Sequence, residues 1–323
     1  MNLNELEQKI FKIKTQTEFK KIALQVFNHQ YQQNKIYNKF CNLLEKRPGS
    51  VKEIKDIPFI PISFFKSQTI KTGSFTEQKT FTSSGTSGTE TSKHHVKSLK
   101  LYENSFLKAF DAYYPDWKSR VIIGLLPSYL EREGSSLIYM VDNLINHSDN
   151  KNSKFELELT SEFINYLETS PEPKILFGVT FALIEMANKE VKPRNTIIIE
   201  TGGMKGRGKE LTRDELHELI QTNIQPKAIH SEYGMTELMS QSYLQNKNFE
   251  CPNWMKFLVR ETTDPLNVML SGKGALNVID LANLYSCSFI ATDDLGKVHT
   301  DGSFEVLGRI DHTQMRGCNL LIL

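Results

Sequence analysis

The sequence has no long apolar run, few cysteines and almost no net charge, and each shortage excludes a class of protein. No stretch approaches the roughly 20 apolar residues of a membrane-spanning helix, and the amphipathic start lacks the apolar core of a signal peptide. The 39 basic and 38 acidic residues balance, so no global field attracts nucleic acid or an anionic membrane. The four cysteines include no CxxC pair, which disfavours a zinc site or a disulfide scaffold. We therefore expect a cytoplasmic protein.

The apolar pattern divides the 323 residues into three expected parts. Residues 1–56 are expected to form an N-terminal helical segment, because apolar residues recur every three or four positions. Residues 57–250 are expected to form an α/β nucleotide-binding core, since apolar strands alternating with helices are typical of a mostly parallel, covered sheet. Residues 251–323 are expected to form a β-rich subdomain ending in a hinge-like segment, GRID to RGC. The buried strands expected in the core are 121–126, 174–179, 196–203 and 227–234.

A polar loop, Phe81–Lys93, lies near the start of this core. It holds eight Ser or Thr residues and two Gly residues, and a lysine closes it. Before it, residues 57–70 carry two prolines in an apolar stretch, which predicts an extended segment across a surface. After it, apolar residues between Val96 and Tyr113 predict a helix. A loop between a strand and a helix is a usual place for phosphate, because free helix N–H groups point at it. A flexible surface loop is the alternative.

Two further motifs follow the loop in the chain. They are EYGMTE at 232–237 and ATDDLG at 291–296, and the second is followed by GRID at 308–311. Together with TSSGTSG of the loop, in this order, they resemble the adenylate-forming enzymes from about residue 57 onward. The segment IPFIPISFFKSQT narrows the resemblance to acyl-protein synthetases of the LuxE type, and more distantly to phenylacetate–CoA ligases. Each short motif alone is common, so each also has a purely structural alternative as a turn, a strand end or a surface ion pair.

The resemblance implies a fold and two cofactors. The fold is the N-terminal α/β domain of the adenylate-forming enzymes, with mostly parallel sheets, flanking helices and a β-rich C-terminal subdomain. The cofactors are ATP and Mg²⁺. The residues expected to surround the β- and γ-phosphates with N–H and hydroxyl donors are Thr82, Ser83, Ser84, Gly85, Thr86, Ser87 and Gly88, with Lys93 as an added charge.

The same resemblance implies that the EYGMTE segment contacts the adenine, the phosphate and the metal. Thr236 is expected to contact the phosphate and the acyl group, and Glu237 to bind Mg²⁺, which prefers carboxylate oxygen. The residues expected at the adenine are Tyr233, which stacks on the base, and Gly234, Gly202 and Gly203.

The ribose is assigned to the second motif. Asp294 is expected to accept hydrogen bonds from both ribose hydroxyls, and Arg309 to reach ribose or phosphate. Asp293 replaces the glycine that is usual in the family. A solvated turn and a surface ion pair are the alternatives for these residues.

The final segment departs from the family. The sequence ends six residues after Gly317, so we expect no full small C-terminal domain with its catalytic lysine. The resemblance implies instead that Cys318 receives the acyl group as a thioester, and nearby cations such as Arg316 favour a thiolate. A buried, inert cysteine beside Leu320 and Leu321 is the alternative.

The sequence therefore predicts ATP-dependent activation of a carboxylic acid, expected to be a fatty acid, and acyl transfer to a protein cysteine. An acyl-donor or reductase protein is an expected partner, whereas nucleic acid and integral membrane are not. Two alternatives stay open: a fatty acyl- or phenylacetate-type CoA ligase, which would ignore Cys318, and a non-catalytic nucleotide or acyl binder.

Overall fold

The computed structural model describes residues 3–83, 91–127, 134–202 and 211–310. Its helices are α1 Leu3–Ile10, α2 Gln16–Gln33, α3 Lys35–Leu43, α4 Phe64–Ser67, α5 Leu99–Tyr113, α6 Ser136–His147, α7 Ser161–Thr169, α8 Thr180–Asn188 and α9 Arg213–Asn223. Its strands are β1 Ile60–Pro61, β2 Lys79–Thr82, β3 Lys93–Val96, β4 Val121–Leu125, β5 Lys154–Glu156, β6 Lys174–Val179, β7 Thr196–Thr201, β8 Ala228–Tyr233, β9 Ser242–Leu244, β10 Phe249–Glu250, β11 Met255–Arg260, β12 Val268–Met269, β13 Gly272–Asp280, β14 Phe289–Val298 and β15 Phe304–Arg309.

The chain divides into two compact units. The first unit contains residues 1–76 and 250–323, and the second contains residues 77–249. The segment 57–76 thus lies in the same unit as the N-terminal helices and the C-terminal strands. The three-part division expected from the sequence stays a prediction about domains.

The second unit is built on parallel strands. Its sheet has the order β5-β4-β6-β7-β8-β9, and every pair from β5 to β8 is parallel. All residues of β4 and β6 are buried, as continuous apolar strands require when helices cover a sheet. Helices α6, α8 and α9 pack on β4, β6 and β8. The predicted parallel core is confirmed. Thr212 and Glu215 form a capping box at the start of α9.

The first unit joins helices to an antiparallel sheet. The strand order is β12-β11-β13-β14-β15, and β1 pairs with β14 in parallel. Gln30 of α2 donates to the carbonyl oxygens of Asn283 and Leu284 and accepts from the N–H of Ser288. These buried bonds attach α2 to the connection between β13 and β14. The predicted β-rich character after residue 251 is confirmed.

The segment 57–70 corrects one expectation. Ile60 and Pro61 are extended, as predicted, but they form β1 and Ile60 is fully buried rather than laid across a surface. Residues Phe64–Ser67 then form the short helix α4. Both prolines of the segment precede α4, so neither interrupts this helix.

The polar loop corrects another expectation. The segment Lys93–Val96 is strand β3 and pairs antiparallel with β2, although the sequence assigned Val96 to the start of a helix. Helix α5 begins only at Leu99, after the N-cap Ser98. The loop therefore connects two strands of a hairpin, so its link to a helix N-terminus is wrong. None of the helices in the described part of the chain combines the length and the apolar character that crossing a bilayer requires.

Candidate functional site

The predicted site residues fall into three groups. Seven lie outside the described residues, and nothing is stated about their structure: Ser84, Gly85, Thr86, Ser87, Gly88, Gly203 and Cys318. Those in the second unit are Thr82, Ser83, Lys93, Gly202, Tyr233, Gly234, Thr236 and Glu237. Those in the first unit are Asp294 and Arg309.

Hydrogen bonds close the base of the polar loop. The N–H of Ser83 donates to the carbonyl oxygen of Ser92 (3.1 Å), and the N–H of Ser92 donates to Oγ of Ser83 (2.9 Å). The N–H of Thr82 donates to the carbonyl oxygen of Gly134 (2.8 Å). Lys93 is exposed on β3. The two ends of the loop are therefore held together by the hairpin.

His94 connects this hairpin to the EYGMTE segment. Its side chain is only 1% exposed, and its Nδ1 lies 2.8 Å from the carbonyl oxygen of Thr236. Because a carbonyl oxygen only accepts, Nδ1 carries the proton and donates it. Sequence reasoning missed this role. The sequence KHHV has no alternation of apolar and polar residues that could have identified it, because the alternation of exposed and buried positions is seen only in the folded strand.

Tyr233 and Glu237 are both buried near the end of β8. Tyr233 is 8% exposed and packs edge-on against Phe249, with ring centroids 5.9 Å apart. The guanidinium of Arg213 on α9 lies over the Phe249 ring, 4.6 Å from its centroid. Glu237 is 6% exposed, and Thr236 is half-buried. A buried carboxylate is costly unless hydrogen bonds or a cation satisfy it.

Gly234 lies close to the carboxylate of its neighbour Glu232. A Cβ added at residue 234 would lie 2.3 Å from Oε1 of Glu232. The other oxygen, Oε2, accepts from Oγ1 of Thr201 at 2.6 Å, on the adjacent strand β7. Burial raises the pKa of Glu232 to about 7, although the Thr201 hydrogen bond opposes the rise, and the charge of Glu200 adds to it. The sequence gave no sign that the pKa of this half-buried glutamate is raised.

The end of β7 is shaped by Gly202. Its φ of 73° lies in the left-handed region that favours glycine. Oγ1 of Thr180 lies 2.8 Å from the carbonyl oxygen of Gly202 and 3.3 Å from Oε1 of Glu200. Burial raises the pKa of Glu200, and the positive charge of Arg213 partly lowers it. Thr180 thus fixes the carbonyl of Gly202 at the carboxyl edge of the parallel sheet.

In the first unit, Asp294 and Arg309 form a pair. They lie opposite each other on β14 and β15, and Nε of Arg309 donates to Oδ1 of Asp294 at 3.0 Å. Asp294 is 4% exposed, whereas the Arg309 side chain is 79% exposed. The N–H of Asp294 donates to Oγ1 of Thr292 (3.2 Å). The structure therefore brings together the two residues that the sequence assigned to the ribose.

Arg260 donates hydrogen bonds to β13 and to β14, the strand that carries Asp294, and sequence reasoning missed this role. Its guanidinium is buried and donates to the carbonyl oxygens of Leu276 (2.7 Å) and Thr292 (2.5 Å). It also donates to Oδ1 of Asn277 at 2.8 Å. The strand pairing of β13 and β14 shifts register between Ala275 and Asn277. Arg260 thus satisfies carbonyl groups beside an irregularity in the sheet, two residues before Asp294.

The described residues contain no cluster of three or more His, Cys, Asp or Glu side chains that would hold a metal by itself. Glu237 therefore belongs to no such cluster among these residues. A single carboxylate fits Mg²⁺, which commonly takes its remaining ligands from water and substrate phosphates.

Comparison with known proteins agrees with the resemblance read from the motifs. Residues 9–107 match the family described as acyl-protein synthetase, LuxE. A long-chain-fatty-acid–luciferin-component ligase of Vibrio harveyi is 25% identical over 325 residues, covering 91% of this chain and 84% of that relative. The predicted resemblance to LuxE-type acyl-protein synthetases is confirmed.

Solved structures share the fold. ATP-bound MatB from Rhodopseudomonas palustris is 16% identical with a TM-score of 0.50, over 71% of this chain and 47% of that one. A double mutant of the o-succinylbenzoate CoA synthetase MenE from Bacillus subtilis, bound with its product analogue OSB-NCoA, is 16% identical with a TM-score of 0.50, over 72% and 48%. The chain spans about half the length of these two structures. They confirm the predicted fold class, that of the adenylate-forming enzymes.

Proposed function

We propose that this chain is an ATP-dependent ligase that activates a fatty acid as an acyl-adenylate and passes the acyl group to a protein cysteine. One observation carries the proposal. In a fold of the adenylate-forming type, the segment 232–237 leaves the carboxyl end of β8 and is hydrogen-bonded through His94 to the strand that follows the Ser/Thr/Gly loop. Ligands of open parallel sheets bind at this edge. The fatty acid is supported by the name of the Vibrio harveyi relative.

The first half-reaction activates the carboxylate of the fatty acid, which is a poor electrophile by itself. A carboxylate oxygen of the fatty acid attacks the α-phosphorus of ATP. A new oxygen–phosphorus bond forms, the bond from the α-phosphorus to the bridging oxygen breaks, and pyrophosphate leaves with the electron pair. The protein supplies position and charge neutralisation rather than covalent chemistry.

The second unit supplies the groups for this step. We assign the β- and γ-phosphates to the loop after Thr82 and to Lys93, the adenine to Tyr233 and Gly202, and the reacting phosphate to Thr236. These groups are N–H, hydroxyl and ammonium donors, which suit phosphate oxygens. Glu237 is the residue that would hold Mg²⁺, which supplies positive charge to the phosphates when it is bound.

Asp294 is the group that we assign to the ribose. Nε of Arg309 donates to its carboxylate, which orients the carboxylate before a ligand arrives. A fixed carboxylate pairs with two neighbouring hydroxyl groups at little entropic cost. We assign it to the 2′- and 3′-hydroxyls of ATP.

In the second half-reaction a thiolate attacks the carbonyl carbon of the acyl-adenylate. A carbon–sulfur bond forms, the carbon–oxygen bond to AMP breaks, and AMP leaves. We assign the thiol to Cys318, and a cysteine of a partner protein then takes the acyl group by thioester exchange.

The activation step is tested by fatty-acid-dependent exchange of labelled pyrophosphate into ATP. We expect exchange that requires both Mg²⁺ and a fatty acid. Glu237→Gln should lower it and raise the Mg²⁺ concentration needed for half-maximal rate, whereas Glu218→Gln, on the exposed face of α9, should change neither. Absence of exchange across a series of chain lengths would refute the activation step.

The acceptor is tested by labelling with a radioactive fatty acid and ATP. We expect a covalent acyl-protein that hydroxylamine releases, and we expect Cys318→Ser to remove it. Cys251→Ser is the matched control, since Cys251 is only half-buried and tolerates a small change. Equal labelling of Cys318→Ser and the wild type would show that Cys318 is not the acyl acceptor. Release of acyl-CoA when coenzyme A is added would favour a CoA ligase instead.

A further inference from the structure

We infer that His94 is a positioning residue that keeps the Thr236–Glu237 segment in register with the phosphate-binding loop. Its consequence for catalysis rests on the proposed function, whereas the contact itself does not. Loop and segment lie far apart in the sequence, since 142 residues separate His94 from Thr236. Their relative position in the second unit must be set by a tertiary contact, and the hydrogen bond from His94 is such a contact.

The strand carrying His94 has a fixed orientation. In β3, His94 lies opposite the buried Phe81 and is itself buried, whereas His95 points to the other side. There, Nδ1 of His95 lies 3.2 Å from Oγ1 of Thr80 and 3.3 Å from Oε1 of Glu77. A slip of one residue would exchange the two faces, so the hairpin cannot shift without breaking both sets of contacts. His94 is therefore held in place before it meets Thr236.

The same strand also fixes the loop. Ser92, two residues before His94, forms the pair of hydrogen bonds with Ser83 that closes the loop. A displacement of His94 along the strand direction would therefore displace the loop base. Conversely, the carbonyl of Thr236 is fixed to the hairpin and not only to β8. A second contact strengthens this connection, because Oγ of Ser105 on α5 lies 2.9 Å from Oγ of Ser240.

Loss of the hydrogen-bond donor of His94 should reduce the rate of the phosphate step more than it reduces the stability of the fold. The Thr236 carbonyl would lose its partner, and the segment that carries Thr236 and Glu237 would move relative to the loop. A misplacement of about 1 Å can reduce a rate about 100-fold. We therefore expect His94→Ala to reduce kcat for pyrophosphate exchange by about 100-fold. The KM for the fatty acid should stay nearly unchanged, because the contact concerns the phosphate side.

Isosteric variants separate positioning from packing. The side-chain amide nitrogen of asparagine occupies the place of Nδ1, so His94→Asn retains a donor for Thr236. The amide nitrogen of glutamine occupies the place of Nε2, so His94→Gln fills the volume without a donor at the right position. We expect His94→Asn to restore most of the exchange rate and His94→Gln to resemble His94→Ala. His95→Asn is the matched control on the opposite face and should retain the wild-type rate.

The experiment measures exchange kinetics, ATP affinity by calorimetry and the melting temperature of all five proteins. If the activity of the four variants simply follows their melting temperature, or if Asn and Gln at position 94 behave alike, the inference is overturned. Should the wild type show no exchange with any acid, the proposed function fails, and the ATP affinities of the same variants decide the inference.

A spectroscopic measurement on the wild type needs no activity. The ¹⁵N shifts of selectively labelled histidine, assigned with the His94→Asn protein, should show His94 protonated at Nδ1. Protonation at Nε2 alone would remove the hydrogen bond to Thr236 and overturn the inference, whatever reaction the protein performs.

Discussion

Replacing Glu232 by glutamine is expected to stabilise the protein at alkaline pH and not at acid pH. Glu232 is half-buried at the end of β8, where Oε2 accepts from Thr201 and Oε1 faces the backbone of Gly234. Burial raises the pKa of Tyr102, Tyr114 and Tyr243, and the nearby charge of Glu232 adds to each rise. None of these groups is a cation, so the ionised form is poorly compensated.

The size of the effect follows from the pKa. Burial raises the pKa of Glu232 from its ordinary value of 4.5 to about 7. At about 1.4 kcal/mol per pH unit, ionisation costs the folded state about 3 kcal/mol. Folded Glu232 keeps a proton that the unfolded chain has lost above pH 4.5. Stability from this group is therefore present below pH 4.5 and is lost as the pH rises to 7.

His230, two residues earlier on β8, has the opposite dependence. Burial, with a smaller contribution from the charge of His217, lowers the pKa of His230 from 6.5 to about 4. Between these values the unfolded chain binds a proton that the folded protein does not, so stability is lost as the pH falls below 6.5. The two groups act over overlapping ranges with similar magnitude, so their contributions nearly cancel in the wild type. Glu232→Gln removes the contribution of Glu232, so the pH dependence of stability that is due to His230 can be measured.

Urea unfolding at several pH values measures this directly. At pH 8 the free energy of unfolding of Glu232→Gln should exceed that of the wild type by about 3 kcal/mol, and the gap should close near pH 4.5. Glutamine can still accept from Thr201, so no hydrogen bond is lost. Glu218→Gln, at an exposed position, should follow the wild type at every pH. A gap that is constant with pH would refute a raised pKa for Glu232.

Three further substitutions have defined outcomes. Gly234→Ala places a Cβ 2.3 Å from Oε1 of Glu232, so it should distort the turn and reduce pyrophosphate exchange about 10-fold or more, measured against an unchanged far-UV spectrum. Asp294→Asn should raise the KM for ATP about 10-fold and leave the KM for fatty acid unchanged, since it weakens the proposed ribose contacts and the bond from Arg309. Arg260→Met should lower the free energy of unfolding by about 3 kcal/mol in urea titrations, because it leaves the carbonyl of Thr292 and its neighbours without their donor. Equal stability of Arg260→Met and the wild type would contradict this role.

Much of the fold could be predicted because its signals are local. The strands β4, β6 and β7 are continuous apolar runs, and the capping box of Thr212 marks the start of α9. Asp294 and Arg309, which the sequence assigned to neighbouring parts of ATP, meet through short-range geometry, since one hairpin carries both residues. Such features need only the periodicity of the chain and the chemistry of its turns.

The remaining features depend on partners that are distant in the sequence. Glu232 has a raised pKa because the fold buries its carboxyl group and brings the charge of Glu200 close to it, although the hydrogen bond from Thr201 opposes the rise. The predicted helix began at Val96 because the apolar residues that follow have helical spacing. The antiparallel pairing with β2 prevails over that local preference, and this pairing is a tertiary contact. No periodicity in the sequence indicates which distant groups a buried side chain will meet.

The hairpin changes the physical basis of the expected phosphate binding. A loop between two strands has no helix macrodipole behind it, so positive charge must come from side chains and individual N–H groups. In β3 the residues alternate, so Lys93 is exposed while His94 is buried against Thr236. One strand thus provides a cation on its open side and a hydrogen-bond donor to the motif segment on its other side. On this view Lys93 has greater electrostatic importance than it would at a helix N-terminus, because no dipole shares the charge of the phosphates.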